Sequence, residues 1–135
     1  MIKYTKKYFS TKLDWQDLLE NFNNSVLLGE RVVFNPIAFY VSHSATKIKK
    51  LKPLYDKLNI KNAHLYISLT NVCQNFGKHK DTMDVWFWQA KGKTKWQVLG
   101  KEYILSPGDL IYISKGIEHN VIALTPRAGI SMSKE

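Results

Sequence analysis

The chain has a single cysteine among its 135 residues, Cys73, so no internal disulfide can form and a reducing cytoplasm is the expected compartment. No apolar run reaches the ~18 residues of a membrane-spanning helix. The basic N-terminus, MIKYTKKYFSTKLDW, is not followed by the apolar core of a secretion signal. Internal repeats and low-complexity stretches are absent, and no strand–helix alternation calls for a doubly wound parallel sheet. Arginine is scarce: Arg31 and Arg127 are the only two among 20 basic residues.

Those 20 basic residues stand against 11 acidic ones, a formal charge of +9. The excess favours anionic partners: nucleic acid, a ribonucleoprotein surface or an acidic protein. The lysines cluster at Lys47, Lys49, Lys50 and Lys52 and at Lys91, Lys93 and Lys95. Lysine gives diffuse attraction more readily than bidentate recognition, so a merely solvated face is the competing reading. A chain of this length forms one domain, residues 1–135, and buries roughly two thirds of its unfolded surface.

Residues 11–23 have helical patterning. Thr11 and Asp14 have capping-box spacing, and Trp15, Leu18, Leu19 and Phe22 form one stripe. Residues 31–43 read as strand with a break at Asn35-Pro36. Ser44 could cap a lysine-rich helix with Ile48, Leu51, Tyr55 and Leu58 on its apolar face. Pro53 should kink that helix or start a second one. From residue 62 onward short β-rich segments follow one another: AHLYISLT, DVWFWQA, TKWQVL, KEYILS, DLIYIS, HNVIAL and AGISMS. Glycine- and proline-containing turns separate them. The pattern predicts an all-β fold with flanking helices, an antiparallel sandwich or jelly roll, with residues 1–61 supplying N-terminal helices and completing strands.

His79-Lys80-Asp81 places a histidine and a carboxylate two residues apart, on one face if the segment is extended. His119 begins a later strand that a closed barrel can bring alongside. Two imidazoles and a carboxylate suit Fe(II) with coordination positions left open, and Zn or Mn would fit the same donors. The residues alone equally allow a hydrogen-bonded loop pair and an unrelated strand-end histidine.

The stretches NFGKHKDTMDVWFWQAKGKTKWQV, YILSPGDLIYISKGIEHNVIAL and GISMS together resemble the cupin-like JmjC family of Fe(II)- and 2-oxoglutarate-dependent oxygenases. The resemblance covers about residues 62–133. It includes Gly77 before the His-x-Asp pair, Gln89, the Gly92-x-x-x-Trp96 turn, Pro107-Gly108-Asp109, Gly116 and His119. It implies a double-stranded β-helix with His79, Asp81 and His119 as iron ligands. It also implies a protein hydroxylase, whose basic surface suits a ribosomal or nucleic-acid-associated target.

The family commonly has a Lys or Arg for the distal carboxylate of 2-oxoglutarate at the position held here by Thr94. Arg127 could supply that cation from the last strand, or be a solvated residue after Pro126. A register slip could turn Lys93 or Lys95 inward. Tyr66 is the tyrosine expected to donate to a bound carboxylate. Asp84 matches a pocket-mouth position or is a turn carboxylate, and Gln89 is a substrate contact or a satisfied interior amide. The other readings are a metal-dependent cupin acting without 2-oxoglutarate on a small anionic compound, and a non-enzymatic binding module. The shortness of the chain leaves a substrate, or a second copy in a homodimer, to form the rest of the groove.

Overall fold

Strand alternation decides what the chain buries. Along β5 (Val85–Lys91), Val85, Phe87 and Gln89 face one way and Trp86, Trp88 and Ala90 the other. In β10 (Arg127–Ser133), Arg127, Gly129 and Ser131 alternate with Ala128, Ile130 and Met132. Both faces are covered, so neither strand shows the apolar–polar alternation of a half-exposed sheet. The structure is a computed structural model that describes residues 1–35, 38–70 and 77–135, at Phe34 and Asn35 the backbone alone. Pro36, Cys73 and Asn75 lie outside the described residues.

The other strands are β1 (Ile2–Thr5), β2 (Val32–Asn35), β3 (Phe39–Ser42), β4 (Asn62–Ser68), β6 (Thr94–Val98), β7 (Lys101–Leu105), β8 (Leu110–Ile113) and β9 (His119–Ala123). A seven-stranded sheet runs β1-β8-β5-β10-β4-β3-β2, and a three-stranded sheet runs β7-β6-β9. Every pairing is antiparallel. The two sheets make the expected jelly roll. Phe87, Trp96, Val98, Leu105, Ile111 and Ile113 fill the space between them. On the outer face of the larger sheet, Leu65, Ile67, Trp88 and Ile130 pack with Leu18, Leu51 and Leu54 from the helical segments.

The N-terminal part differs from the sequence pattern in detail. Helix α1 spans Trp15–Leu27 and is capped by Asp14, not Thr11. The Asp17 amide donates to Asp14 Oδ1 at 3.0 Å, and the Asp14 amide donates to Asp17 Oδ2 at 2.9 Å, a reciprocal box one turn later than predicted. Leu18 is buried but Leu19, about 100° further round the helix, is 48% exposed. Ser44 does not cap; its hydroxyl donates to Glu30 Oε2. The lysine-rich segment forms two 3₁₀ turns, Ala45–Lys47 and Lys49–Leu51, and Pro53 sits in the first turn of a second helix, α2 (Lys52–Leu58). Strand β1 has no counterpart in the predicted elements. Asp109 ties it down, accepting from the Lys7 amide, the Tyr4 hydroxyl and the Ser106 amide, each at 2.9 Å.

Gly92 turns β5 into β6 with φ +67°, and a Cβ there would stand 2.0 Å from the Pro126 carbonyl oxygen. Neither the backbone conformation nor the oxygen can give way cheaply. Gly92→Ala is expected to destabilise by about 3 kcal/mol or more and to lower Tm by roughly 10 °C. Thermal unfolding measures this, and an unchanged Tm would show that the turn relaxes freely.

Candidate metal centre

His79 and His119 form an isolated antiparallel bridge between the loop before β5 and the start of β9. The His79 amide donates to the His119 carbonyl at 2.9 Å and the His119 amide returns the bond at 2.8 Å. This pairing sets the two rings edge to face, with centroids 4.3 Å apart. Asp81 lies beside both, and one ligand atom from each of the three residues falls within 4.8 Å of the others. The Lys80 side chain between them is exposed, as is Lys78, which pairs with Glu118 at 3.2 Å.

Each ring is held by its far nitrogen. His79 Nδ1 meets the Gly77 carbonyl at 2.8 Å and His119 Nδ1 meets the Ile117 carbonyl at 2.9 Å. A carbonyl only accepts, so both Nδ1 atoms carry protons and both Nε2 atoms are left for the site. His119 Nε2 is 3.3 Å from Asp81 Oδ2, and His79 Nε2 is 3.9 Å from Asp81 Oδ1. Acceptors therefore face both nitrogens of His119, which demands a cation between Nε2 and the carboxylate: a proton, or a metal ion in its place. The electrostatics agree. The His119 hydrogen bond holds the Asp81 carboxyl below its usual range despite partial burial. Burial pulls His119 down, but the hydrogen bonds to Asp81 and the Ile117 carbonyl, with the Asp81 charge, raise it overall. Backbone-oriented Nε2 atoms with one carboxylate form a donor set that fits a divalent ion.

These groups open into a cavity of about 250 Å³ between the sheets, whose lining includes Phe39, Tyr66, Phe87, Trp96, Arg127 and Ser131. Arg127 is 1% exposed. Its Nε donates to Ser68 Oγ at 2.8 Å, and its guanidinium stands 5.6 Å from the Phe39 ring and 6.0 Å from the Phe87 ring. It is thus a wall residue, not the solvated one that Pro126 suggested. Phe87 reaches this position because a Cβ on Gly129 would lie 2.1 Å from its ring. Tyr66 bonds Ser131, and burial above all raises its hydroxyl's pKa, which keeps it neutral.

Thr94 does not line this cavity. It is fully buried, donates to Gln89 Oε1 at 2.9 Å and accepts from Trp96 Nε1 at 3.1 Å. Both hydrogen-bonding roles of the hydroxyl are spent inside the wall, so the expectation that it holds a cosubstrate is not met by its contacts. Gln89 is likewise a satisfied interior amide, its Nε2 donating to the Lys91 and Gly92 carbonyls. No register slip occurs: Lys93 is exposed and Lys95 approaches Glu102 at 3.6 Å. Asp84 accepts from the Lys115 amide, a turn role, and Asn120 bonds Gln97 at the surface. Ser68 and Ser131 were not anticipated. Their signal was alternation, since Ser131 sits four residues after Arg127 on the same face of β10.

A second histidine pair lies nearby. The His43 and His64 rings are 4.0 Å apart, and His64 is 6.5 Å from Tyr66. Burial first, then the charges of His43 and Arg31, pull His64 from its usual 6.5 down to about 4. The unfolded chain therefore takes up this proton before the folded one does. Stability from this group is complete above pH 6.5 and is lost as pH falls toward 4. Tm measured across that window should fall more steeply in the wild type than in His64→Gln; parallel profiles would contradict the assignment.

Residues 74–130 match the family model for the cupin domain. No curated protein matches the chain. With two antiparallel sheets closed around an internal cavity, the fold is the cupin jelly roll. Among solved structures it is similar to YcfD, a ribosomal oxygenase from Escherichia coli, in complex with cobalt and 2-oxoglutarate: TM-score 0.74 and 17% identity over 98% of this chain and 47% of that one. The same protein with cobalt and succinic acid gives TM-score 0.74 at 16% identity. Salicylate 1,2-dioxygenase from Pseudoaminobacter salicylatoxidans gives TM-score 0.62 and 12% identity over 90% of this chain and 32% of that one. The chain thus spans about half the length of YcfD, and what the two share at this identity is the fold.

Proposed function

We propose that the protein is an Fe(II)- and 2-oxoglutarate-dependent oxygenase of the JmjC type, hydroxylating a protein substrate. The observation that carries this reading is the shared cavity: three metal-ligating side chains in its lining and a buried guanidinium in the same lining. Iron with 2-oxoglutarate and O₂ supplies, when bound, the power to hydroxylate an unactivated C–H bond with release of succinate and CO₂.

The protein's own residues place and protect that chemistry. His79, Asp81 and His119 offer two nitrogens and one oxygen, which leaves positions of a six-coordinate ion for other ligands. The Gly77 and Ile117 carbonyls fix the imidazole tautomers. Arg127 is the cation that would meet the distal carboxylate, a charge-assisted bond that Thr94 cannot make. Neutral Tyr66 is a donor to the same ligand. Phe39, Val85, Phe87 and Trp96 keep the cavity apolar and strengthen each polar contact within it. A protein substrate, ribosomal or nucleic-acid-associated, is supported by the charge of +9 and by the likeness of fold to a ribosomal oxygenase. The substrate, or a second copy of this chain, would complete the groove at the open mouth.

Succinate formation from 2-oxoglutarate with Fe(II), in the wild type and in variants of the three ligands, tests the reading. Turnover that requires all three is expected. Stoichiometric metal binding with neither binding nor turnover of 2-oxoglutarate would leave a metal-dependent cupin of other chemistry.

A further inference from the structure

Three adjacent strands bring Arg31, His43 and His64 into one row. Val32 pairs with Ser42 across β2 and β3, and the next step of that ladder sets Arg31 against His43, whose amide donates to the Arg31 carbonyl at 3.1 Å. Ser42 pairs with Leu65, so His43 comes beside His64, with ring centroids 4.0 Å apart. His64 in turn pairs with Ser131 on β10. The row therefore leads from the β2 edge of the sheet to a residue that lines the metal cavity.

The inner residue of the row, His64, also borders space. A second cavity of about 170 Å³ has His64, Thr82 and Met83 in its wall and shares Tyr66, Asp81, Val85 and Ser131 with the metal cavity. The mechanism above uses neither His43, His64 nor Arg31. Two imidazoles could suggest a second metal ion, but the Arg31 charge acts on both rings and repels a cation. Arg31 is exposed, and no ion pair among the described residues uses it. The carboxylate of the second cavity, Asp81, is turned to His119 at 3.3 Å. A guanidinium and two rings with N–H donors in one row, the innermost ring on a cavity wall, are the chemistry of an anion site.

We propose that the Arg31–His43–His64 row is an anion subsite that seats a carboxylate or phosphate group of the substrate beside the metal cavity. The proposal rests on the reading of that cavity as the reaction site, and it gives the substrate an anionic group close to the carbon that reacts. An anion there also neutralises the Arg31 charge that bears on both rings.

The test follows the imidazole resonances of the metal-free protein by NMR during separate titrations with inorganic phosphate and with acetate. Saturable shifts of His43 and His64 are expected with at least one of them, and the tighter anion identifies the group. Arg31→Gln, a change at an exposed side chain, should weaken that binding about tenfold, the loss of one charge-assisted bond. Shifts confined to His79 and His119 would place the anion in the metal cavity and overturn the proposal. So would an affinity unchanged in Arg31→Gln, or no saturable shift with either anion. Co(II) binding on the same samples reports the metal site separately: its loss with the His43 and His64 shifts intact would sink the metal reading and leave the anion site standing.

Discussion

His79→Ala is expected to abolish Fe(II)-dependent succinate release and to weaken metal affinity by at least ~100-fold, beyond the 10–100-fold that follows from changing groups which only orient a ligand. The side chain is 30% exposed, so its removal leaves little cavity and the fold should survive. The His79–His119 bridge is made by backbone atoms and persists without the ring. His119 is the poorer choice for this test. It is 3% exposed and stacks on Trp96 at 5.7 Å, so its loss would mix packing with coordination. Co(II) titration with circular dichroism on the same samples separates the two effects. Unchanged Co(II) affinity in a folded His79→Ala protein would remove this residue from the metal centre. Lys78→Ala is the matched control, since that side chain is exposed and pairs with Glu118; it should bind metal like the wild type.

The elements that sequence made legible are those whose signal is local and repeated. Short segments rich in β-branched and aromatic residues between glycine and proline turns announced β4 to β10, whether covered on both faces like β5 or largely exposed like β7. Strand β1 was not legible. IKYT is short, contains Lys3 and runs into Lys6 and Lys7; it is a strand because it pairs with β8, more than a hundred residues away. Thr11 and Asp14 each have a carboxylate three residues on, so the pattern does not choose between them; the reciprocal bonds close at Asp14 and Asp17. Leu19 faces water because a stripe of four apolar residues is wider than the surface the sheet offers. At the site, two-residue spacing gave the His79–Asp81 pair, and a barrel closes on His119. What a linear pattern could not show is which polar side chains are already satisfied. Thr94 is one of these, its hydroxyl spent on Gln89 and Trp96; Arg127 differs from it in place and charge, being a cation in the cavity wall.

That difference sets the second large effect. Arg127→Leu is expected to raise the 2-oxoglutarate requirement by about 100-fold, the loss of a bidentate charge-assisted contact in a poorly solvated site, while Co(II) affinity stays within a few-fold of wild type. The Arg127 guanidinium lies near the Phe39 and Phe87 rings and its Nε donates to Ser68 Oγ, so its loss touches packing as well as charge. Thermal unfolding of the same Arg127→Leu sample separates lost cosubstrate binding from lost stability. Arg127→Lys keeps the charge but not the planar fork, and should fall between wild type and leucine. Thr94→Val makes the opposite prediction. It breaks the bonds to Gln89 and Trp96 and should lower Tm, yet leave 2-oxoglutarate affinity nearly unchanged. If Thr94→Val impairs the cosubstrate and Arg127→Leu does not, the cation is not where the cavity puts it, and 2-oxoglutarate is held by other means or is not the cosubstrate.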